Sequence, residues 1–244
     1  MSRVVAGPRS SLLWVAGQVL LVATGIAAYF RVRGLTESSL ATAQAHARHL
    51  VGFEQALHIN VEPTVQAPVR SSAALESVAN WIYIWGHWPV LLATMVWLVW
   101  HHHPQFLRLR DSMMVSGGLG LIVFASYPLA PPRLAGLGYV DTVTRTSASY
   151  RYLQPPAFVN QYAAMPSLHV GWDLLAGITI FCATTHWGLR VVACLMPLLM
   201  AWAVVATGNH YLLDVVAGVA LVGVGQAVAL ALEARRDAAS RAEP

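Results

Sequence analysis

Charge is what this chain has least of. Of its 244 residues only 11% are Asp, Glu, Lys or Arg, less than half the roughly 25% of an average soluble domain. With 57% hydrophobic residues and a mean hydropathy of +0.55, this shortage excludes a disordered chain and argues against an ordinary soluble enzyme. A bilayer is the solvent that tolerates such a composition. Lysine is missing altogether, so the fifteen basic residues are all arginine. The net charge of +4 and the pI of 9.4 therefore come from flanks and loops, and do not read as a nucleic-acid footprint. Cysteine is nearly absent. Cys182 and Cys194 both sit in apolar stretches, which excludes a disulfide framework or a cysteine zinc site and leaves them as small buried hydrophobes.

What is there is a series of charge-poor intervals. Between Arg9 and Arg31 lie 21 uncharged residues, read as a first span over 11–30. A cleaved secretory signal would be shorter and end at small residues, whereas this stretch runs on to Tyr29-Phe30-Arg31, so a retained helix is expected. Arg31, Arg33, Glu37, Arg48, Glu54, Glu62, Arg70 and Glu76 forbid a span over 31–76. There Leu40, Ala43, Ala47, Leu50, Val51, Phe53 and Leu57 recur at helical spacing and predict an amphipathic helix on the membrane surface, followed by an irregular connector at Pro63 and Pro68. Further spans are expected at 78–100, 112–130, 168–185, 189–207 and 211–232, with Pro197 kinking the fifth. His101, His102 and His103 cannot all face one ligand on a helix, so they read as a solvated loop. Residues 131–166 form a long polar loop, and 233–244 a charged, disordered tail. The expectation is an all-α, polytopic membrane protein: a cytoplasmic N-terminus (1–10), one six-helix catalytic domain (11–232) with the interfacial helix between spans one and two, and the C-terminal tail.

Six spans put both termini on one side. That side holds eight arginines against seven on the other, but the opposing seven lie in the two long loops, where the positive-inside rule has least force. The termini are therefore expected in the cytoplasm. The 131–166 loop and the 207–210 turn would face outward, in a multi-pass protein of the cell membrane.

Two segments carry ionisable groups at the mouths of spans. In Met165-Pro166-Ser167-Leu168-His169, the helix starters Pro166 and Ser167 place His169 in a first helical turn. In Thr207-Gly208-Asn209-His210-Tyr211-Leu212-Leu213-Asp214, Gly208 suits a helix end and Asn209 a helix cap. His210 and Asp214 are four apart, on one face, where an aspartate can bond one imidazole nitrogen and leave the other basic and aimed. Either histidine alone reads as a satisfied interfacial residue. An aspartate within a span is harder to dismiss, and the topology brings His169, His210, Asp214 and Arg133 to the same membrane face. This set suits phosphoryl transfer without a metal. One histidine attacks phosphorus and the other protonates the departing oxygen, while arginine and helix N-terminal N–H groups hold the phosphate.

Ala163-Ala164-Met165-Pro166-Ser167-Leu168-His169 and Gly208-Asn209-His210-Tyr211-Leu212-Leu213-Asp214 resemble the second and third signature motifs of the type 2 phosphatidic acid phosphatase superfamily. Pro-Ser-Leu-His in place of Pro-Ser-Gly-His is most similar to its inositol phosphorylceramide synthase-like branch, and Ala130-Pro131-Pro132-Arg133 resembles that branch's first motif. The similarity extends over about residues 40–225. It implies a six-helix membrane enzyme working through a phosphohistidine, with His210 as nucleophile, Asp214 as its orienter and His169 as general acid. The wider superfamily has a lysine seven residues before the first-motif arginine and an arginine six residues before the nucleophile. This chain has Ser126 and Val204 there. Phosphate binding is left to Arg133, with Ser167 and Asn209 at the helix mouths and Arg145 or Arg151 as helpers, the last two reading equally as solvated loop charges. Asp173, four residues after His169, would either pair with His169 and keep it protonated or bond a group on another helix. His87 reads as an interhelical hydrogen bond.

The expected protein is thus a metal-independent lipid phosphatase or phosphotransferase without a cofactor. Its substrate is a lipid phosphate in the bilayer, with inositol-phosphate transfer favoured over plain hydrolysis of a polyprenyl or other lipid (di)phosphate. Nothing in the sequence speaks to its oligomeric state. Two rivals are a vanadate-binding haloperoxidase-like protein and a non-catalytic lipid carrier or transporter.

Overall fold

The computed structural model describes residues 12–35, 39–146 and 160–242. Among them ten α-helices form: α1 (Leu12–Leu35), α2 (Leu40–Ala56), α3 (Glu62–Ser71), α4 (Ala73–Trp85), α5 (Trp88–His101), α6 (His103–Ser126), α7 (Thr142–Thr146), α8 (Leu168–Ala183), α9 (Trp187–Ala206) and α10 (Leu212–Ala242). No strand is present among the described residues. One isolated bridge joins Leu129 and Ala163, and a 3-10 turn covers Pro132–Leu134. The expected all-α architecture holds. The charge-poor intervals are occupied by α1, α4 with α5, α6, α8, α9 and α10. Three stretches, Ala73–His101, Trp187–Ala206 and Leu212–Arg241, are long and apolar enough to cross a membrane, and Leu12–Ala28 and Leu168–Ala183 are shorter apolar helices.

The core is an assembly of α6, α8, α9 and α10, with α4 and α5 on its flank. Leu91, Leu98, Phe106, Phe124, Leu168, Trp172, Leu175 and Val222 form its centre. Ser112 bonds Gln226 (2.8 Å) while Gly120 faces Leu221, so α6 and α10 run antiparallel. Arg108 pairs with Glu233 (2.8 Å) and Asp111 with Arg236 (2.6 Å) at one end of that pair. By contrast α8 and α10 run parallel: Ser167 lies against Asp214 and Gly218, and Gly171 against Gly218 and Val222. Their N-terminal ends therefore meet, at the end of the bundle remote from the Arg108–Glu233 cluster. The outer faces of these helices expose Trp81, Leu92, Ile122, Val192, Leu198 and Val216, a continuous apolar exterior of the kind lipid covers.

Several sequence readings are corrected. Residues 62–71 are helical, not an irregular connector. Pro63 occupies the first turn of α3, where a missing N–H breaks no bond, and Pro68 is accommodated inside. The segment 40–71 is thus two helices. Of the apolar positions on α2, Ala43, Ala47, Leu50 and Val51 are buried while Leu40, Phe53 and Leu57 are exposed. The three histidines are not a loop: His101 ends α5, His102 is the joint, and His103 begins α6 with its ring stacked on Trp14. The chain beyond Glu233 continues α10 to Ala242, because Glu233 and Arg236 find partners on α6. Cys182 and Cys194 are exposed rather than buried, since an apolar helix in such a bundle has an apolar outer face too. The expected spans of 78–100 and 112–130 also differ, and the second begins nine residues early, at His103. The first is broken at Gly86-His87, where Pro89 removes a helical donor and clashes one turn back. The second stops at Ser126, so Tyr127–Ala130 is free to pair with the Ala163 segment.

The parallel crossing of α8 and α10 leaves no room for a side chain at Gly218. A Cβ there would collide with the Ser167 carbonyl, whereas a Cβ at Gly223 meets nothing within 4 Å. Gly218→Ala is expected to destabilise the protein by about 2 kcal/mol or more, since the Ser167 backbone cannot yield without moving α8. Gly223→Ala should be neutral within about 0.5 kcal/mol. Comparable melting temperatures for both variants in detergent would refute this packing.

Candidate active site

The three short motifs noted in the sequence are tied to one another by hydrogen bonds. Leu129 N–H donates to the Tyr162 carbonyl (2.7 Å) and Ala164 N–H returns a bond to Leu129 (3.3 Å), which sets the 130–133 segment beside 163–169. Arg133 N–H donates to the Gly208 carbonyl (2.9 Å), joining the first motif to the third. Ser167 N–H donates to the Asp214 carbonyl (2.9 Å), joining the second to the third. The buried Tyr211 hydroxyl donates to Ala130 (3.1 Å).

His210 is presented by a tight turn. Helix α9 ends at Ala206, and Gly208 takes a left-handed conformation (φ +71°) that a side chain would strain and that Gln66, Val140 and Arg133 would crowd. The N–H groups of Asn209 and His210 both donate to the Val204 carbonyl (3.0 Å each). His210 is buried, with Nδ1 3.4 Å from Asp214 Oδ2, the oxygen that also accepts from Tyr211 N–H (2.9 Å). His210 precedes α10 instead of lying on its face as the four-residue spacing implied.

His169 lies in the first turn of α8, as expected, and is half-buried. Its ring centre is 6.0 Å from that of His210. Tyr83 stacks on it at 5.0 Å, and His87 lies 4.5 Å away. Asp173 reaches across to the α4–α5 break. Its Oδ1 accepts from His87 Nδ1 at 2.7 Å, with both side chains buried, so the interhelical bond expected of His87 is present.

Arg133 reaches the site from the 3-10 turn. Its Nε donates to Asn209 Oδ1 (2.9 Å), and Nη1 approaches Asp141 Oδ2 (3.4 Å). Nη2 has no partner among the described residues. The Asn209 amide is thus engaged twice, since its Nδ2 also donates to Thr207 Oγ1 (2.8 Å). Asn209 does not cap the following helix, because α10 opens three residues later. The Ser167 hydroxyl is buried with no partner among the described residues, and it makes no cap bond to α8. The side chain of Arg145 and the whole of Arg151 lie outside the described residues.

Sequence reasoning passed over the groups that close the mouth of α10. Glu62 Oε1 accepts from Leu212 N–H (2.7 Å), and Glu54 Oε1 accepts from Leu213 N–H (2.9 Å). Both carboxyls are buried, although they come from α3 and α2. Asn60 Nδ2 holds the other Glu62 oxygen (2.5 Å). A signal existed for Glu54: it continues the Ala43, Ala47, Leu50 series on the apolar stripe of α2, where a carboxylate must find a partner. These acids supply acceptor oxygens to N–H groups that a helix start leaves unpaired. Helix α10 therefore begins at a capped mouth, while α8 beside it has no side-chain cap. No group of three or more His, Cys, Asp or Glu side chains among the described residues is arranged to hold a metal ion.

Burial raises the Glu54 carboxyl from 4.5 to about 8, with Glu62 and Asp214 adding to the rise and the Leu213 N–H opposing it. The folded protein thus keeps a proton that the unfolded chain releases above 4.5. Stability is expected to be highest in acid and to fall as pH rises from about 4.5 to about 8. Glu54→Gln keeps the acceptor and loses the ionisation, so its melting temperature in detergent should be flatter over that range. Identical pH profiles for wild type and Glu54→Gln would remove Glu54 as the cause.

The family model described as the PAP2 superfamily matches residues 48–228. This stretch contains all three motifs, both acids at the mouth of α10, and the His87–Asp173 pair. No curated protein and no solved structure matches the chain. A match over most of the chain, on residues that the fold gathers around two histidines, establishes the family. The chain belongs to the PAP2 superfamily and is an enzyme of the phosphatase type, acting on phosphate esters.

Proposed function

We propose that this enzyme is a membrane-embedded lipid phosphatase or phosphotransferase that works through a phosphohistidine on His210. The observation that carries the reading is the pairing of His210 with Asp214 beside His169, where α8 and α10 begin side by side. Asp214 accepts the Nδ1 proton of His210 and leaves Nε2 with its lone pair available. That lone pair forms the N–P bond as the bond from phosphorus to the lipid oxygen breaks, and His169 gives its proton to that oxygen. Water or an alcohol then bonds to phosphorus, returns a proton to His169 and releases His210. Arg133, steered by Asn209 and Asp141, and the uncapped start of α8 supply positive potential for the phosphate. The reaction so written draws on no metal, and activity should survive EDTA.

Within the superfamily we place the chain near the inositol phosphorylceramide synthase-like branch, with transfer of inositol phosphate as the favoured reaction. The support is the Pro166-Ser167-Leu168-His169 form of the second motif. Leu168 is a core residue packed on Gly120, whose Cβ would stand 3.2 Å from it, so the leucine belongs to the packing of α8 on α6. We further infer six spans, with α2 and α3 at the interface and the site on the extracytoplasmic face of the cell membrane.

The histidines can be told apart by leaving group. His210→Ala should be dead on every phosphate ester and form no acid-labile phosphoenzyme. His169→Ala should lose about a hundredfold or more on a lipid phosphate, whose alkoxide needs a proton, and far less on an activated aryl phosphate. A phosphoenzyme trapped in His210→Ala but not in His169→Ala would reverse the two roles.

Orientation is tested separately. With Cys182 and Cys194 replaced by serine, a cysteine at exposed Leu137 should react with an impermeant thiol reagent on intact cells. Labelling only after lysis would place the site in the cytoplasm.

A further inference from the structure

The site contains a second histidine–aspartate pair that the chemistry above leaves unused. His87 sits at the break between α4 and α5, where Gly86 and Pro89 interrupt an otherwise continuous apolar stretch. Broken helices within an apolar bundle are tolerated where the irregular backbone lines a site. The break turns the His87 ring inward, to 2% exposure. One side of it meets His169 at 4.5 Å, and the other runs parallel to Trp172 at 6.2 Å. Trp88 closes the edge at 5.1 Å, and Trp172 is itself fixed by a bond from Nε1 to Ser116 (3.1 Å). Asp173 is wholly buried, one helical turn from His169 on the same face of α8, and its Oδ2 has no hydrogen-bond partner among the described residues.

We propose that His87 and Asp173 are positioning residues for His169, holding it protonated and turned towards the departing oxygen. This rests on the reading of His169 as the general acid. A carboxylate accepts only, so His87 Nδ1 is the donor in the 2.7 Å bond and the aspartate stays acceptor-only. A His87 ring that donates from Nδ1 to Asp173 has Nε2 left as an acceptor, and it lies against the His169 ring at 4.5 Å. Around His169 stand Tyr83 from α4, His87 from the break and His210 from the third motif, and Asp173 follows one turn later on its own helix. Asp214 gives one oxygen to both His210 and Tyr211 N–H, and Asp173 is the carboxylate on the helix of His169, one turn along from it. Each histidine of the site thereby has its own aspartate, one in direct contact and one through an intervening imidazole.

A cement joining the α4–α5 break to α8 would have the same bond, so the test must separate the two. Asp173→Asn and His87→Phe are compared with wild type in the purified full chain, on phosphatidic acid in mixed micelles and on p-nitrophenyl phosphate. The expected result is a loss of about tenfold or more on the lipid and less than about threefold on the aryl ester. In a His169→Ala background, Asp173→Asn should cause no further loss on the lipid. Equal losses on both substrates, or a full additional loss in the His169→Ala background, would overturn the proposal in favour of the cement. If Asp173→Asn fails to elute as a monodisperse species, His87→Gln takes its place. If the aryl ester is not turned over, the double-variant comparison on the lipid decides alone. His210→Ala run alongside keeps the layers apart: wild-type rates there would sink the phosphohistidine reading itself, whereas a dead His210→Ala with equal Asp173→Asn losses sinks only this inference.

Discussion

The hydrogen bond from Ser167 N–H to the Asp214 carbonyl, made across the glycine contact of α8 with α10, is the constraint on which the site depends. It forces two helices to start side by side and in parallel. Parallel neighbours add their dipoles at a shared end, which is unfavourable unless something negative is placed there. The fold meets the demand differently at the two mouths. At α10 it supplies acceptor oxygens from Asp214, Glu62 and Glu54, which take up the open N–H groups. At α8 it supplies no side-chain cap, and that is the mouth where the proposed phosphate belongs.

Much of this was legible in the sequence, for a plain reason. Charge-poor intervals mark where the apolar parts of helices run, so α1, α6, α8, α9 and α10 could be placed, although α1, α6 and α10 continue through Arg31, Arg108 and Glu233 beyond those intervals. The His210–Asp214 pair was legible because a buried aspartate is expensive and the four-residue spacing is short. Arg133 was legible from its motif, although not the fact that Asn209 would be spent on aiming it.

What was not legible lies in contacts between distant parts of the chain. Glu54 and Glu62 read as charges that merely interrupt a span, because their partners are about 150 residues away, on a helix start whose N–H groups leave no mark in the sequence. For Asp173 local spacing left two partners open, His169 or a group on another helix, and the bond goes to His87 because the break at Gly86 delivers that ring across the bundle. The same blindness made α3 look irregular: its prolines sit where a helix can take them, which depends on where it begins. Cys182 and Cys194 show the converse, since an apolar neighbourhood in sequence does not distinguish the inside of a bundle from its lipid-facing side.

The acids at the mouth of α10 also bear on the order in which the protein can be assembled. They belong to a segment made well before the one whose N–H groups they receive. Until α10 arrives, α2 and α3 hold two carboxyl groups facing an unfilled space. Until α2 and α3 are in place, α10 starts with open donors and His210 stands on an unanchored turn. The turn that carries His210 is therefore held from both sides, and a chain stopped short of α10 would have neither a finished site nor a settled α2–α3 layer.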